Sequence, residues 1–249
     1  MSGHSKWHNI RIRKGRQDAV RGKMFTKIGR EITVAARDGG GNPDSNIRLR
    51  MVLQKARDNS MPNDNIERAV KKGTGELDSE VFEETSYEGY GPGGVAVMVK
   101  CLTDNRNRTV ADLRWSFTRC GGSLGESGCV AWIFDSKGLI SIDKTKATED
   151  QVMEAALEAG ADDIQEEEAT WDVLTAPEDF GRVRDAIRAA KLETLSAELT
   201  MIPKNTVKVE GKEAEQNLKL LETLEDMDDV QQVYVNFDID AEFMERASA

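Results

Sequence analysis

The residues of this chain best suited to a chemical task are cations that crowd together near its start. They are Lys6, Arg11, Arg13, Lys14, Arg16, Arg21, Lys23, Lys27 and Arg30, and Asp18 is the one acidic side chain among them. Such side chains contact phosphate groups, and several contacts together give strong, salt-sensitive binding that is largely blind to base sequence. Trp7 lies beside Lys6 and could stack on an exposed base. We therefore predict that this segment binds nucleic acid.

The distribution of charge along the chain supports this prediction. Residues 1–72 contain 17 Lys+Arg and 7 Asp+Glu, a net charge of +10, in a chain that has 34 and 45 in total. Residues 73–249 therefore hold 17 and 38, a net charge of −21. The alternative is that the cations form a solvated face or an arm that docks on the chain's own acidic part. Nucleic acid is favoured because dense like charge repels itself without a polyanion.

A glycine-rich loop is a secondary candidate. Residues 89–94 match the pattern G-x-G-x-x-G, but the valines that follow indicate a strand, whereas a dinucleotide site requires a helix at that point. We expect a rigid turn. The alternative is a loop that contacts RNA or protein through Tyr90 and Pro92.

Residues 102–109 join a predicted strand to a predicted helix. Arg106 and Arg108 could contact phosphate there, and Asp104 or Asn105 could cap the helix. Capping is the favoured role for this loop.

The sequence gives no positive support for catalysis or metal binding. His4 and His8 are the two histidines of the chain, and two ligands without a third do not make a dedicated metal site. No nucleophile has a recognisable base, and there is no P-loop. We expect a non-enzymatic protein without metal, cofactor or small-molecule substrate. An enzyme of unknown type is the remote alternative.

Cysteine usage and hydropathy indicate the compartment. The three cysteines show no CxxC spacing, which is typical of reduced thiols in a cytosolic protein. No run approaches 18 apolar residues, so no transmembrane helix is expected. We predict a cytoplasmic protein without a membrane partner.

Hydrophobic periodicity places the cationic segment on a small helical domain. Three helices are predicted in residues 16–72, the first of them over 17–37. The second is expected to begin with Asp44 or Ser45 as its N-cap. Its predicted core-facing residues are Ile47, Met51, Val52 and Ala56.

The rest of the chain alternates between strands and helices. A strand at 95–103, a helix at 109–119 and a strand at 129–134 precede a β-α-β-β-α-β segment, which is the ferredoxin-like order. A strand, a helix and a strand follow at 207–237, and together with the first three elements they repeat that order. We predict an α+β multidomain fold, in which an N-terminal three-helix domain precedes two ferredoxin-like α+β domains, one inserted in the other. The expected boundaries are 1–78, 79–135 with 206–240, 136–205 for the insert, and a tail at 241–249.

Several segments resemble the YebC/PmpR family. They are residues 2–7 (SGHSKW), 23–27 (KMFTK), 61–69 (MPNDNIERA), 87–94 (YEGYGPGG), 102–109 (LTDNRNRT) and 121–134. The resemblance implies a bacterial cytoplasmic protein with a helical domain and two α+β domains, one interrupted by the other. Family members are described mostly as probable DNA-binding transcriptional regulators. Mitochondrial relatives resemble translational activators, bacterial ones are linked to ribosomes stalled on proline-rich sequences, and no catalytic residues come with the family.

Two functions therefore remain open. We place first a DNA-binding transcriptional regulator, in line with the family description. The close alternative is a translation factor that binds ribosomal RNA and relieves stalls on proline-rich sequences. No helix presents base-reading Asn, Gln and Arg side chains on one face. Lys23, Lys27 and Arg30 are instead expected to form a stripe that contacts phosphate, which slightly favours RNA.

Overall fold

Three helices form the first folded unit of the computed structural model, which describes residues 18–247 apart from 79 and 168. The side chains of residues 18–21, 241, 245 and 247 are outside this description. The helices are α1 (Asp18–Gly39), α2 (Ile47–Asp58) and α3 (Asn63–Gly73). Their shared core contains Ile28, Ile32, Ala35, Leu49, Leu53, Ala56, Ile66 and Ala69. Ile28, Ile32 and Ala35 recur at helical spacing in the sequence, and they form part of the inward face of α1.

The inward face of α2 differs from the prediction. Leu49, Leu53 and Ala56 are buried, whereas Ile47 is 70% exposed and Met51 is 43% exposed. The predicted stripe was therefore wrong at Ile47 and Met51, and the helix is rotated about its axis relative to that stripe.

The cap of α2 explains this rotation. Asn46, not Asp44 or Ser45, is the N-cap, and its Oδ1 accepts a 3.0 Å hydrogen bond from the backbone N–H of Leu49. The Asn46 Nδ2 group donates to the Ala35 carbonyl at 2.7 Å. The Asn46 side chain caps α2, because an N-cap satisfies a backbone donor that the helix leaves free. The same side chain links α2 to α1 through the Ala35 carbonyl.

The first sheet combines strands from both sides of the insert. It contains β1 (Glu83–Tyr90), β2 (Ala96–Thr103), β3 (Ser123–Leu124) and β9 (Val230–Val235), in the order β3-β1-β2-β9. All three pairings are antiparallel. Helices α4 (Arg106–Arg119) and α7 (Gly211–Glu225) supply buried residues to the same core as Val97 and Val99. We call this unit the outer domain.

The second sheet is formed by one continuous segment. It contains β4 (Phe134–Asp143), β5 (Asp163–Glu166), β6 (Thr170–Thr175) and β7 (Thr194–Pro203), in the order β5-β6-β4-β7. Helices α5 (Glu149–Leu157) and α6 (Phe180–Ala189) pack on it. This is the ferredoxin-like arrangement. Since the segment lies between β3 and β9, it is inserted in the outer domain, and the predicted fold class is confirmed.

The outer domain has the ferredoxin-like strand order, but one of its strands is not the predicted one. β1 lies where the third strand of that order is expected. It precedes the other strands in the chain and was not predicted as a strand. The strand predicted at the start of the segment 207–237 is only two residues long. β8 (Val207–Lys208) pairs in parallel with β10 (Phe237–Asp238), apart from the main sheet.

The predicted strand at 129–134 is wrong. Residues Ala131–Ile133 form a single turn of 3₁₀ helix, and Phe134 opens β4. The cause is the buried carboxylate of Glu88, which accepts backbone hydrogen bonds from Gly128, Val130 and Ala131 at 2.7, 2.7 and 2.8 Å. These bonds hold the backbone in a loop, and its apolar side chains cover the second face of β2 through Ala96 and Met98.

The C-terminal segment extends beyond the sheet. Helix α8 (Ala241–Ala247) occupies most of the predicted tail, and Met244 is buried in the core of the outer domain. Within the described residues, no helix combines the length and the apolar character needed to cross a membrane.

Candidate nucleic-acid interface

The structure describes only part of the predicted cationic segment. Lys6, Trp7, Arg11, Arg13, Lys14 and Arg16 lie outside the described residues, and Arg21 is described in its backbone alone. The remaining three cations, Lys23, Lys27 and Arg30, lie on α1, where their side chains can be placed.

These three cations face an acidic segment of the outer domain. We call residues 225–229 (Glu-Asp-Met-Asp-Asp), at the junction of α7 and β9, the acidic loop. Lys23 Nζ lies 3.3 Å from Asp226 Oδ1, and Lys27 Nζ donates to the Glu225 carbonyl. Arg30 Nη1 donates to the Asp228 carbonyl at 2.6 Å. The stripe expected to contact phosphate is therefore engaged within the molecule, and α1 is attached to the acidic loop.

Asp229 lies at the centre of this junction. Its side chain is 11% exposed, and it accepts hydrogen bonds from Arg30 at 2.9 Å and from Arg108 at 2.8 and 3.0 Å. Thr109 and Thr103 donate to its Oδ2 at 2.8 and 3.2 Å. One carboxylate thus connects α1, the end of β2 and the start of α4. Its bonds to the two arginines are charge-assisted, and such bonds are stronger than neutral ones.

The charges at the junction modify one another. Burial acts to raise the pKa of Asp229, but hydrogen bonds from Arg108, Thr109 and Arg30 outweigh it and hold that pKa below its ordinary value. Burial also lowers the pKa of Lys27, against the opposing influence of Glu225, Asp226 and Asp228. Asp229 is therefore ionised at neutral pH and balances two arginines.

Acidification is expected to weaken the junction through Asp229. A carboxylate whose pKa is lowered on folding stabilises the folded state above its ordinary pKa, and this contribution is lost as the pH falls through the lowered pKa. We expect the difference in urea stability between the wild type and Asp229→Asn to hold from pH 7 to about pH 5 and to shrink towards about pH 2. A difference independent of pH over this range would contradict the ionic role.

An apolar contact reinforces the junction. Val34 of α1 packs with Phe82 and Leu102 of the outer domain in a small buried cluster. The Arg30 guanidinium lies 5.1 Å from the centre of the Phe82 ring, and Arg37 donates to the Phe82 carbonyl at 2.8 Å. Contacts from Lys23 to Arg37 thus hold α1, and with it the helical domain, against the outer domain.

The loop before α4 has the capping role favoured by its sequence. Asn105 is the N-cap, and its Oδ1 accepts from the Arg108 N–H at 3.1 Å. The Arg108 guanidinium contacts Asp104 as well as Asp229, and its hydrogen bonds to both carboxylates raise its pKa. The side chain of Arg106 is exposed and makes no hydrogen bond or ion pair with any residue in the described part of the chain. Of the two arginines, Arg106 is therefore the better placed to contact an external phosphate.

The glycine-rich loop is a turn between two antiparallel strands. Tyr90 ends β1 and donates through its hydroxyl to the Cys129 carbonyl at 3.0 Å. Pro92 is buried, and its carbonyl accepts from Asn217 Nδ2 at 2.9 Å. Gly93 and Gly94 have φ values of 73° and 78°, which the turn requires and which other residues adopt rarely. Pro92 thus faces inward, and no helix follows that could bind a pyrophosphate.

The acidic loop was not predicted as the partner of α1, although docking of the cations on the chain's own acidic part was the stated alternative. Its signal was available as four acids among five residues, opposite in charge to the stripe on α1. Nothing local links the two segments, since Arg30 and Asp228 are 198 positions apart in the sequence.

Comparisons with known proteins place this arrangement in a family. Residues 5–76 match the TACO1/YebC protein N-terminal domain, and residues 82–237 match the TACO1/YebC second and third domain. A protein of Geobacter sulfurreducens is 58% identical over 246 residues, which is 99% of this chain and 99% of the relative. One of Natranaerobius thermophilus is 56% identical over 248 residues, covering 98% and 99%. Both relatives are named probable transcriptional regulatory protein.

A solved structure agrees with these matches. The crystal structure of a conserved hypothetical protein from Aquifex aeolicus has a TM-score of 0.81 and 47% sequence identity, and the match covers 90% of this chain and 92% of that one. The family models together span the helical domain and both α+β units. The chain therefore belongs to the TACO1/YebC family.

Proposed function

We propose that the protein is a non-enzymatic regulator that binds nucleic acid, and that it acts as a DNA-binding transcriptional regulator in the cytoplasm. The observation that carries this proposal is the separation of charge, with a net charge of +10 in residues 1–72 and −21 in the remainder. The names of the relatives support a regulatory role. The phosphate contacts are assigned to Lys6, Arg11, Arg13, Lys14 and Arg16, a set without an acidic neighbour before Asp18.

The junction with the acidic loop has a positioning role in this proposal. Lys27 and Arg30 attach α1 to the outer domain, and the cationic residues 6–16 directly precede α1 in the chain. Lys23 is the most accessible of the three, since its side chain is 47% exposed in the pair with Asp226. Exposed pairs of this kind contribute little to stability, so phosphate can replace the carboxylate at Lys23 at small cost.

The acidic remainder of the chain gives selectivity to the binding. A polyanion is attracted to the cationic segment and repelled by the two α+β units. The cationic segment is therefore the first point of attraction for nucleic acid, and indiscriminate coating of nucleic acid by the whole protein is disfavoured.

A translation factor that binds ribosomal RNA is the second candidate. The observation in its favour is the composition of α1, which contains neither Asn nor Gln. Base-specific reading in the major groove relies largely on Arg, Asn and Gln side chains presented together. A helix that offers phosphate contacts alone suits RNA recognised by shape.

A cell-level experiment separates the two candidates. Lysate is treated with DNase and sedimented through a sucrose gradient, and the protein is cross-linked to chromosomal DNA in parallel. Enrichment at promoters without ribosome co-migration is the result expected for a transcriptional regulator. Co-migration with ribosomes that survives DNase, without promoter enrichment, would replace that proposal with the translation factor.

A further inference from the structure

The exposed face of α4 combines an aromatic ring with arginine side chains. Trp115 is 56% exposed. The Arg119 guanidinium, one helical turn later, lies 4.8 Å from the centre of the indole ring. Side chains four residues apart on a helix are neighbours, so this contact fixes both groups on one surface.

The charge of α4 contrasts with that of the domain around it. The helix carries four arginines and one acid, Asp112, in a part of the chain with a net charge of −21. Arg108 is engaged by Asp104 and Asp229. Among the residues that the structure describes, the side chain of Arg114 makes no hydrogen bond or ion pair, and the Arg119 guanidinium contacts the Trp115 ring. Cations without carboxylate partners on an acidic protein are suited to a polyanion.

Helix α7 adds a cation at the C-terminal end of α4. A side chain at Gly121 would meet Gln216 Nε2 at 3.2 Å, which places that part of α7 beside the end of α4. Lys219 is exposed one turn further along α7. Burial raises the pKa of Cys120, and the charges of Lys219 and Arg119 both oppose this rise, in agreement with their closeness to Cys120.

We propose that Trp115, Arg114, Arg119 and Lys219 form a second contact surface, which binds an unpaired stretch of nucleic acid. A base stacks on the Trp115 ring, and the three cations contact the flanking phosphates. The inference rests on the proposed function, because it assumes that the protein binds nucleic acid, and it adds the class of substrate. Aromatic side chains interleaved with cations are the usual means of binding single strands without sequence preference.

A second exposed tryptophan provides a matched control. Trp132 is 65% exposed, but its Nε1 donates to the Cys129 carbonyl at 3.1 Å, and its neighbour Lys204 is paired with Asp135 at 3.1 Å. It follows the buried residue Val130, which packs on the face of β2 opposite α4. Trp132 therefore has similar exposure, and the lysine that the structure describes beside it is paired with a carboxylate.

The test measures binding of the full-length protein to labelled oligonucleotides by fluorescence anisotropy. The probes are oligouridine RNA, oligothymidine DNA and a DNA duplex, each on the order of twelve nucleotides per strand. Trp115→Ala is expected to weaken binding to the single strands about tenfold and to leave duplex binding unchanged. Trp115→Phe should give an intermediate loss, and Trp132→Ala none. Removing Arg114 and Lys219 together should reduce the salt dependence of single-strand binding by about 0.7 per lost contact.

Each outcome decides the inference. An equal loss on both single strands supports a general single-strand surface, and a loss on RNA alone supports one that also contacts the ribose hydroxyl. Equal affinities of Trp115→Ala and Trp132→Ala for every probe overturn the inference. Binding of the wild-type protein to the duplex leaves the proposed function intact in that case. An equal loss on duplex and single strands overturns base stacking. Absence of wild-type binding to any probe overturns both proposals, and unchanged circular dichroism confirms that the variants are folded.

Discussion

Replacing Arg11, Arg13, Lys14 and Arg16 with alanine is expected to abolish most of the affinity for duplex DNA at moderate salt. Each phosphate contact releases counterions, so the logarithm of the affinity falls with the logarithm of the salt concentration by about 0.9 per contact. Loss of four contacts should therefore reduce this slope by about 3.6. Anisotropy titrations of a labelled duplex over a series of KCl concentrations measure both the affinity and the slope.

A charge-matched control separates local contacts from net charge. Alanine at Arg182, Arg184, Arg188 and Lys191 removes the same number of cations from the inserted domain. These residues lie on α6 or directly after it, and two of them are paired with Asp179 and Asp185. This control should leave the slope near the wild-type value. Wild-type affinity and slope in the first variant would exclude residues 11–16 from the mechanism.

Replacing Asp229 with alanine is expected to have the largest effect on stability. The substitution leaves Arg30 and Arg108 without their shared carboxylate, and the side chain of Arg30 is 16% exposed. Removing one partner of a largely buried ion pair costs about 3 kcal/mol, because the remaining charge loses its compensation. The hydroxyls of Thr103 and Thr109 lose an acceptor as well. Urea denaturation measures the change in unfolding free energy, and limited trypsin digestion reports release of the helical domain.

Asp226→Ala is the control for this variant. Asp226 belongs to the same acidic loop, but its pair with Lys23 is exposed on both sides, with side-chain exposures of 66% and 47%. Surface pairs of this kind contribute less than about 1 kcal/mol. If both variants lose the same stability, the central position of Asp229 is refuted.

The outline of the fold could be predicted because periodic patterns dominate most of its elements. The apolar spacing along α1 leads directly to Ile28 and Ile32 in the core. The inserted domain was also recognisable, since its alternating strands and amphipathic helices follow the ferredoxin-like order. In these segments local sequence and tertiary packing agree.

The errors arose where a distant side chain decides the local structure. The segment 129–134 is apolar enough for a buried strand, yet the Glu88 carboxylate, 40 or more positions away, holds it as a loop. Strand β1 reads EETSYEGY, with few apolar residues, and its place in the sheet is seen only in its pairing with β2 and β3. Neither the Glu88 carboxylate as the partner of the loop nor the strands that pair with β1 can be inferred from the local sequence.

The cations of the candidate site could be predicted from the sequence, but the contacts that they make in the fold could not. Composition alone reveals the cations of residues 6–30. It could not reveal that Lys27 and Arg30 contact the acidic loop, because these contacts depend on how the fold brings α1 close to residues 225–229. Trp115 escaped notice for the same reason, since its exposure depends on the helix face that packs on the outer sheet.

The position of the insert has a consequence for biosynthesis. Strand β9 and the acidic loop are translated after the whole inserted domain, so a ribosome-bound nascent chain that stops before residue 225 lacks the partner of Arg30 and the last strand of the first sheet. Domains generally fold as units while the chain emerges. The inserted domain can therefore fold first, and the contacts of the helical domain with the acidic loop form only after residues 225–229 have been translated.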